Sequence, residues 1–446
     1  MDTLTEGAQA GNAGKPRNKR VVSPPETAVL NHEMPVTAPR LRRSVAWTLA
    51  GNLTYALCQW GMLAVLANSG DAVAAGQFAL GLAVAAPVFM LTNLQLRGAQ
   101  ATDARLEFRF SHYFTLRLLV TCAGVAAIGS VLLLGRYEVS GAAVIAFVAA
   151  AKAIEALSDI VAGLLQRHER LDQVAVAMIT KGVLSLAAFA FCYHRTQSLV
   201  TAVAAITAVW MAVFAAYDLR RARELVGSGS FIGWEPRTIR ALALKTAPLG
   251  AVMALGSLAV NIPRYVLVQH SGTRELGIFA SLAYVVLAAT FVVNALGQSS
   301  LVRLSKMFAE QNYSEFWLLL KKSAGFGLGV GIVGVMFSAA FGRAALAWLY
   351  RPEYADHVHA LEVLAATVGI SAVASFLGYG MTASRSFIQQ LPVMLVTTAT
   401  CGVSSFVLIP RFGIAGAAYA LLITAVVQAV MTGVVLGCVV RSRRAA

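Results

Sequence analysis

The sequence predicts an all-α integral membrane protein of about twelve transmembrane helices, built as two six-helix repeated lobes around a central cavity. Composition, a succession of long apolar runs and an internal repeat predict it. Of 446 residues, 58% are hydrophobic and 13% charged, against roughly 25% charged in an ordinary soluble domain. A hydrocarbon core of about 30 Å takes roughly 20 apolar residues per helix. The chain supplies such runs at 44–66, 75–96, 113–135, 141–166, 173–193, 198–219, 246–268, 276–300, 323–349, 358–383, 391–410 and 413–440. They are continuous and show no apolar/polar alternation, which makes them helices and not barrel strands.

Residues 1–43 come first and differ in kind. Pro16, Pro24, Pro25, Pro35 and Pro39 alternate with Lys15, Arg17, Lys19 and Arg20, a composition that predicts a disordered basic cytoplasmic tail. It holds no apolar core of the kind a secretory signal needs, so the first helix is expected to remain as an anchor. The first lobe then occupies 44–219, a cytoplasmic linker 220–245, the second lobe 246–440, and a short basic tail 441–446. Lys and Arg accumulate in cytoplasmic segments. Here they crowd the tail, the segments around Arg97, Arg167, Arg221, Lys245, Lys306 and Lys322, and the end at Arg441, Arg443 and Arg444. The other side carries only Arg136, Arg195, Arg274, Arg343, Arg351 and Arg411. Both termini are therefore expected in the cytoplasm, and the location is expected to be a bacterial inner (cytoplasmic) membrane. Topology accounts for the net charge of +15, so nucleic acid is excluded as a partner.

The repeat sets the architecture. "NSGDAVAAGQFA" at 68–79 and "HSGTRELGIFA" at 270–280 share Ser-Gly followed by Gly-x-Phe-Ala, and each closes one apolar run and opens the next. "GLLQRHERLDQ" at 163–173 and "GMTASRSFIQQ" at 380–390 form a weaker second pair. Six helices repeated once give copies of the same orientation, related by an axis along the membrane normal. Two such bundles enclose a cavity, the geometry of a carrier that alternates its access.

Other signals carry less. Cys58, Cys122, Cys192, Cys401 and Cys438 all fall inside predicted helices without paired spacing and read as small buried hydrophobes. His357 and His359 share an outer loop but lack a third ligand, so no metal site and no cofactor is expected. "GFGLGVGIVG" at 325–334 contains G-x-G-x-x-G without the strand and βαβ unit that a dinucleotide requires. Its Gly325/Gly329 and Gly327/Gly331 spacings suit close packing on a neighbouring helix.

"NLQLRGAQATDAR" at 93–105, "NIPRYVL" at 261–267 with "LGIFASLAY" at 276–284, and "LIPRFGIAGAAYALLIT" at 408–424 resemble the polysaccharide (O-antigen type) flippases. These belong to the MOP flippase superfamily, with the multidrug and toxic-compound exporters and the lipid II flippases. The resemblance covers about 44–440. It implies two lobes around a V-shaped cavity lined by the first, second, seventh and eighth helices. It also implies a polyprenyl-diphosphate-linked oligosaccharide as cargo, membrane lipids as surroundings, and a polysaccharide polymerase or export protein as a candidate further partner.

In that frame Arg264, on the seventh helix, is a candidate for the cargo's phosphate. An isolated Arg near a helix centre costs at least about 2.5–3.5 kcal/mol, which argues against a lipid-facing position; snorkelling to the outer surface is the alternative. Asn261 lies one turn earlier on the same face, and Pro263 frees a backbone carbonyl. Gln59, Asn93, Gln95, Asn294 and Gln298 are candidate polar lining for sugar hydroxyls, each with a helix-to-helix hydrogen bond as its plainer reading. Arg97 and Arg117 lie toward the cytoplasmic interface, where lipid phosphate is the plain partner; Arg97 is also a candidate substrate contact. Lys152, Glu155 and Asp159 share one stripe of the fourth helix, with Lys181 on the fifth. They are either an ion-coupling relay or a neutralised structural cluster. All outer loops are short and no Walker motif occurs, so no enzyme is expected. A flippase is the leading expectation. A cation-coupled multidrug exporter and a non-catalytic membrane subunit of a polysaccharide synthase complex are the alternatives.

Overall fold

The computed structural model describes residues 38–103, 107–135, 137–384 and 386–445. The chain divides into two units, Met1–Arg42 and Arg43–Ala446. Of the first, only the start of helix α1 (Ala38–Ser69) is described, so the disordered-tail expectation lies otherwise outside the described residues.

The second unit is helical throughout its described length. After α1 come α2 (Ala72–Asn93), the short α3 (Leu96–Thr102), α4 (Phe110–Leu134), α5 (Val139–Arg167) and α6 (Leu171–Thr196). Next is α7 (Leu199–Val213), which runs through a π-helical turn, Phe214–Asp218, into α8 (Leu219–Val226). Then follow α9 (Pro236–Ala309), α10 (Tyr313–Leu349), a 3₁₀ turn (Pro352–His357), α11 (Val358–Ala383) and α12 (Phe387–Ala445). Two of these are doubled helices. α9 reverses at Gly272 (φ 85°) and α12 at Gly413 (φ 54°), backbone conformations that favour glycine.

Among the described residues nine helices are long and apolar enough to cross a membrane. α5, which carries Lys152, Glu155 and Asp159, is not among them. Counting α5 and the separate limbs of α9 and α12, the described residues supply the twelve long helices expected.

The first lobe packs around one core that runs from Met62 to Ala222. The second gathers around Val266, Ile278, Leu364 and Ala417, and takes in Ala67 and Ala72 of the first lobe. The linker is docked: Phe231 packs on Phe110 and Phe114 of α4, and the Gly233 N–H donates to Thr115 Oγ1 at 3.0 Å.

The internal repeat has a structural cause. Its Ser-Gly step is one turn made twice, at Gly70 (φ 82°) and Gly272 (φ 85°). In the first copy Asp71 then caps α2 by accepting the Ala74 N–H at 2.8 Å. The second glycines of the two copies, Gly76 and Gly277, meet each other. A Cβ on Gly76 would stand 1.7 Å from Thr273 O, and one on Gly277 would stand 2.0 Å from Ala72 O. The lobes thus touch backbone to backbone at the end remote from the termini. There Arg351 Nε also donates to Asn68 O at 3.2 Å, and Trp60 Nε1 to the Tyr350 hydroxyl at 2.9 Å.

Two proline-freed carbonyls are answered. Pro87 leaves Ala83 O without its helical donor, and the Tyr265 hydroxyl of α9 donates to it across the lobe boundary. Pro263 leaves Ala259 O, and the Cys401 thiol donates to it at 2.8 Å. Cys401 therefore does more than fill space.

The glycine run at 325–334 is used by half. Gly327 and Gly331 press on Ala372 and Gly369 of α11, whereas Gly325 and Gly329 have no protein atom within 4 Å of an added Cβ. Both pairs were expected to pack; α11 covers one face of α10 only.

Candidate functional site

Arg264 and Asn261 act as a pair. Asn261 is 4% exposed, and its Nδ2 donates to Ser257 O at 2.8 Å, one turn back. That bond turns Oδ1 toward Arg264, whose Nη1 donates to it at 3.0 Å. The Arg264 Nε is buried with no partner among the described residues. A side chain that places its guanidinium inward and partly unsatisfied does not snorkel, since snorkelling would put the head in water.

A second group belongs to the first lobe. Lys152 Nζ pairs with Glu155 Oε2 at 2.6 Å and lies 5.8 Å from the Trp210 ring centre. The Tyr55 hydroxyl donates to Glu155 Oε1 at 3.0 Å, and Gln59 hydrogen-bonds Tyr55 in turn. Tyr284, on the second limb of α9, joins the two sides. Its ring packs on the first-lobe core, and its hydroxyl lies within electrostatic range of Tyr55, Lys152 and Arg264. Arg264 and Lys152, on opposite lobes, thus each lie within electrostatic range of Tyr284. Tyr284 carries no charge to draw attention in the sequence.

The other intramembrane charges separate into two further groups. Asp159 is shared by Arg97 Nη1 at 3.2 Å and Arg117 Nη2 at 3.1 Å, and Arg97 Nε also donates to Gln166 at 3.2 Å. Lipid phosphate was the plain expectation for these arginines. For Arg117 it is corrected, since Arg117 is 0% exposed and held by Asp159; Arg97 shares that carboxylate with 34% of its side chain exposed. Lys181 was expected as an extra partner of the fourth-helix stripe. It pairs instead with Asp218 at 2.7 Å and bonds Ser158. Asp218 was missed because it sits at the end of an apolar run, where a carboxylate reads as a boundary residue. The π-helical turn Phe214–Asp218 holds it in the interior, at 2% exposure. A cavity of about 100 Å³ lies among these groups, lined by Glu155, Asp159, Lys181 and Asp218. Each of its carboxylates already has a basic partner.

The neutral candidates do not share one wall. Asn294 and Gln298 lie on the second limb of α9 beside Tyr379, whose hydroxyl donates to Asn294 O at 3.4 Å and contacts Gln298. Asn93 ends α2, with its Oδ1 buried and unpartnered. Next to it Leu94 (φ 50°) and Gln95 (φ 52°) take left-handed conformations, costly for residues with a Cβ. They break the helix that was expected to continue through 96.

At the linker end, Asp103 organises the turn between α3 and α4. It accepts the backbone N–H of Glu107 at 3.0 Å and of Phe108 at 3.1 Å, and the Tyr113 hydroxyl at 3.3 Å. Burial pushes its carboxyl pKa up, but these donors outweigh burial and hold it below the usual range.

Comparison with known proteins gives a consistent outline. No protein-family model matches the chain. A capsular polysaccharide biosynthesis protein, CapF of Staphylococcus aureus, is 25% identical over 381 residues, covering 85% of this chain and 94% of its own. Among solved structures, an inward-facing multidrug resistance MATE family transporter of the MOP superfamily superposes with a TM-score of 0.66 at 14% identity, over 90% of this chain and 96% of its own. The MATE transporter VcmN of Vibrio cholerae gives 0.61 at 14% identity, over 91% and 97%. A MOP superfamily transporter from Pyrococcus furiosus, described as having a binding pocket of reversed polarity, gives 0.60 at 14% identity, over 90% and 96%. The chain is a multi-pass membrane protein with the two-lobed fold of the MOP superfamily transporters.

Proposed function

We propose that the protein is a flippase that moves a polyprenyl-diphosphate-linked oligosaccharide across a bacterial inner membrane by alternating access, with both termini in the cytoplasm. The reading is supported by Arg264 and Lys152, two cations on opposite lobes that each lie within electrostatic range of Tyr284. A diphosphate is a compact dianionic group or more, and two cations on separate rigid bodies can hold it while the bodies move. Arg264 offers a planar pair of donors and stays charged when desolvated, with Asn261 fixing its direction. Lys152 is held by Glu155 until an anion competes for it. The resemblance to CapF supports a polysaccharide-related cargo.

A cation-coupled drug exporter would need a carboxylate free to exchange an ion. Glu155, Asp159 and Asp218 are each paired with a basic side chain, which favours the flippase.

The test is complementation of a strain lacking this gene, scored by accumulation of lipid-linked oligosaccharide, with protein abundance checked by blot. Arg264→Ala should lose most transport and Arg264→Lys retain part of it, because Lys keeps the charge without the fork. Full transport by Arg264→Ala at normal abundance removes this residue from the mechanism.

A further inference from the structure

The second lobe contains a cavity that the cationic group at Arg264 does not use. It measures about 250 Å³ and is lined by Asn294 of α9, Ser375, Tyr379 and Thr382 of α11, and Gln390 and Gln428 of α12; none of the described residues lining it is charged. We propose that this cavity binds an uncharged sugar ring of the cargo, an inference that rests on the flippase reading above.

The lining chemistry selects the ligand. Three carboxamides and the hydroxyls of Ser375, Tyr379 and Thr382 offer donors and acceptors together, which ring hydroxyls and acetamido groups answer and hydrocarbon does not. An anion would meet no cation among the described lining residues, and a polyprenyl tail would leave the carboxamides unpaired. The lining is accessible: Ser375, Tyr379, Thr382, Gln390 and Gln428 are half-buried and Asn294 is exposed, so a ligand can reach them. The internal bonds that hold it are long: Gln390 Nε2 to Thr382 Oγ1 is 3.5 Å and Tyr379 to Asn294 O is 3.4 Å, at or beyond the edge of good geometry. A ligand can replace them at little loss. Tyr379 adds an aromatic face, and Gly297 lets it lie flat on α9: a Cβ there would stand 1.9 Å from the ring.

Position fits as well. Tyr284 and Asn294 lie on one unbroken limb of α9, ten residues apart, which is about 15 Å along a helix. Thr382 and Gln390 flank the turn between α11 and α12, at the end that holds the C-terminus. A cargo with its diphosphate at Arg264 would lay sugars distal to the phosphate along that distance. A small drug would not span it.

The experiment uses the full chain in lipid nanodiscs and two probes. One is farnesyl diphosphate. The other is the saccharide pool released by mild acid from the lipid fraction of the producing cells and dephosphorylated, read by saturation-transfer NMR. Wild type should bind both. Gln428→Leu and Gln390→Leu should each weaken the saccharide about tenfold, as expected for one lost buried hydrogen bond, and leave farnesyl diphosphate unchanged. Arg264→Ala should do the reverse. Ser375→Ala, a smaller change, serves if the glutamine variants are not monodisperse and should weaken the saccharide alone. Saccharide binding unchanged in these variants, while farnesyl diphosphate still depends on Arg264, overturns the sugar site and leaves the flippase reading standing. No binding of either probe to wild type overturns both. Sodium perturbing Tyr379 without competition by saccharide makes the cavity an ion site and overturns the proposal.

Discussion

Replacing Gly277 with alanine tests whether the ends of the lobes remote from the termini are held together by backbone contact. The new Cβ would stand 2.0 Å from Ala72 O, and the equivalent atom on Gly76 would stand 1.7 Å from Thr273 O. Carbon and oxygen settle at about 3.3 Å or more, so the helices must part by roughly 1.3 Å at Gly277 and 1.6 Å at Gly76. Both obstacles are backbone atoms of rigid helices, so no side chain can swing aside. Overpacking of this kind costs about 1–3 kcal/mol. At 1.4 kcal/mol per factor of ten, the state closed at these ends should lose roughly 5-fold to 150-fold in population. Spin labels on Asn68→Cys and Asp356→Cys, in a background without native cysteines, report the separation of the two ends. Gly277→Ala should add a longer-distance population. Gly329→Ala, where an added Cβ has no protein atom within 4 Å, should add none. An unchanged distance distribution and an unchanged melting temperature for Gly277→Ala would refute the reasoning.

Four further outcomes are expected. Lys181→Met should strand Asp218 in the interior and cost about 3–5 kcal/mol, whereas Lys181→Met with Asp218→Leu should recover much of it; thermal melts of the purified proteins check both. Glu155→Gln should leave Lys152 without its carboxylate and tighten binding of farnesyl diphosphate, measured by calorimetry; weaker binding would mean that Glu155 organises the site. Asp103 has a folded pKa below its unfolded value, so its contribution is present above about pH 4 and is lost as pH falls through the folded pKa; hydrogen exchange at Glu107 and Phe108 should rise there, and Asp103→Asn should remove that acid step. A Ser230→Cys label should be protected in intact cells, and labelling from outside would reverse the assigned orientation.

The sequence made the architecture legible because bilayer thickness imposes helix length, and because the turn glycines Gly70 and Gly272 recur with the repeat. It also made the Arg264–Asn261 pair legible, since a three-residue spacing on one helix leaves little choice of face. Partners between distant helices were not legible. The sequence sets Lys181 beside Glu155 and Asp159 of the stripe, and the π-helical turn brings Asp218 to it instead. Lys152 could be placed on a stripe with Glu155, but its place over the Trp210 ring depends on how distant helices pack. The break at Leu94 and Gln95 violates the ordinary preference of both residues, so no local rule could announce it.

Pro87 gives the lobe boundary a property of its own. By removing the usual helical donor to Ala83 O it leaves an acceptor that the other lobe satisfies through Tyr265. If the lobes part at that level, the carbonyl loses this donor, and a bare buried acceptor costs about 1–3 kcal/mol. Water must then arrive as the tyrosine leaves. Separation and hydration of this boundary are one event, so a dry, half-open gap at this height is the least stable arrangement the two lobes can adopt.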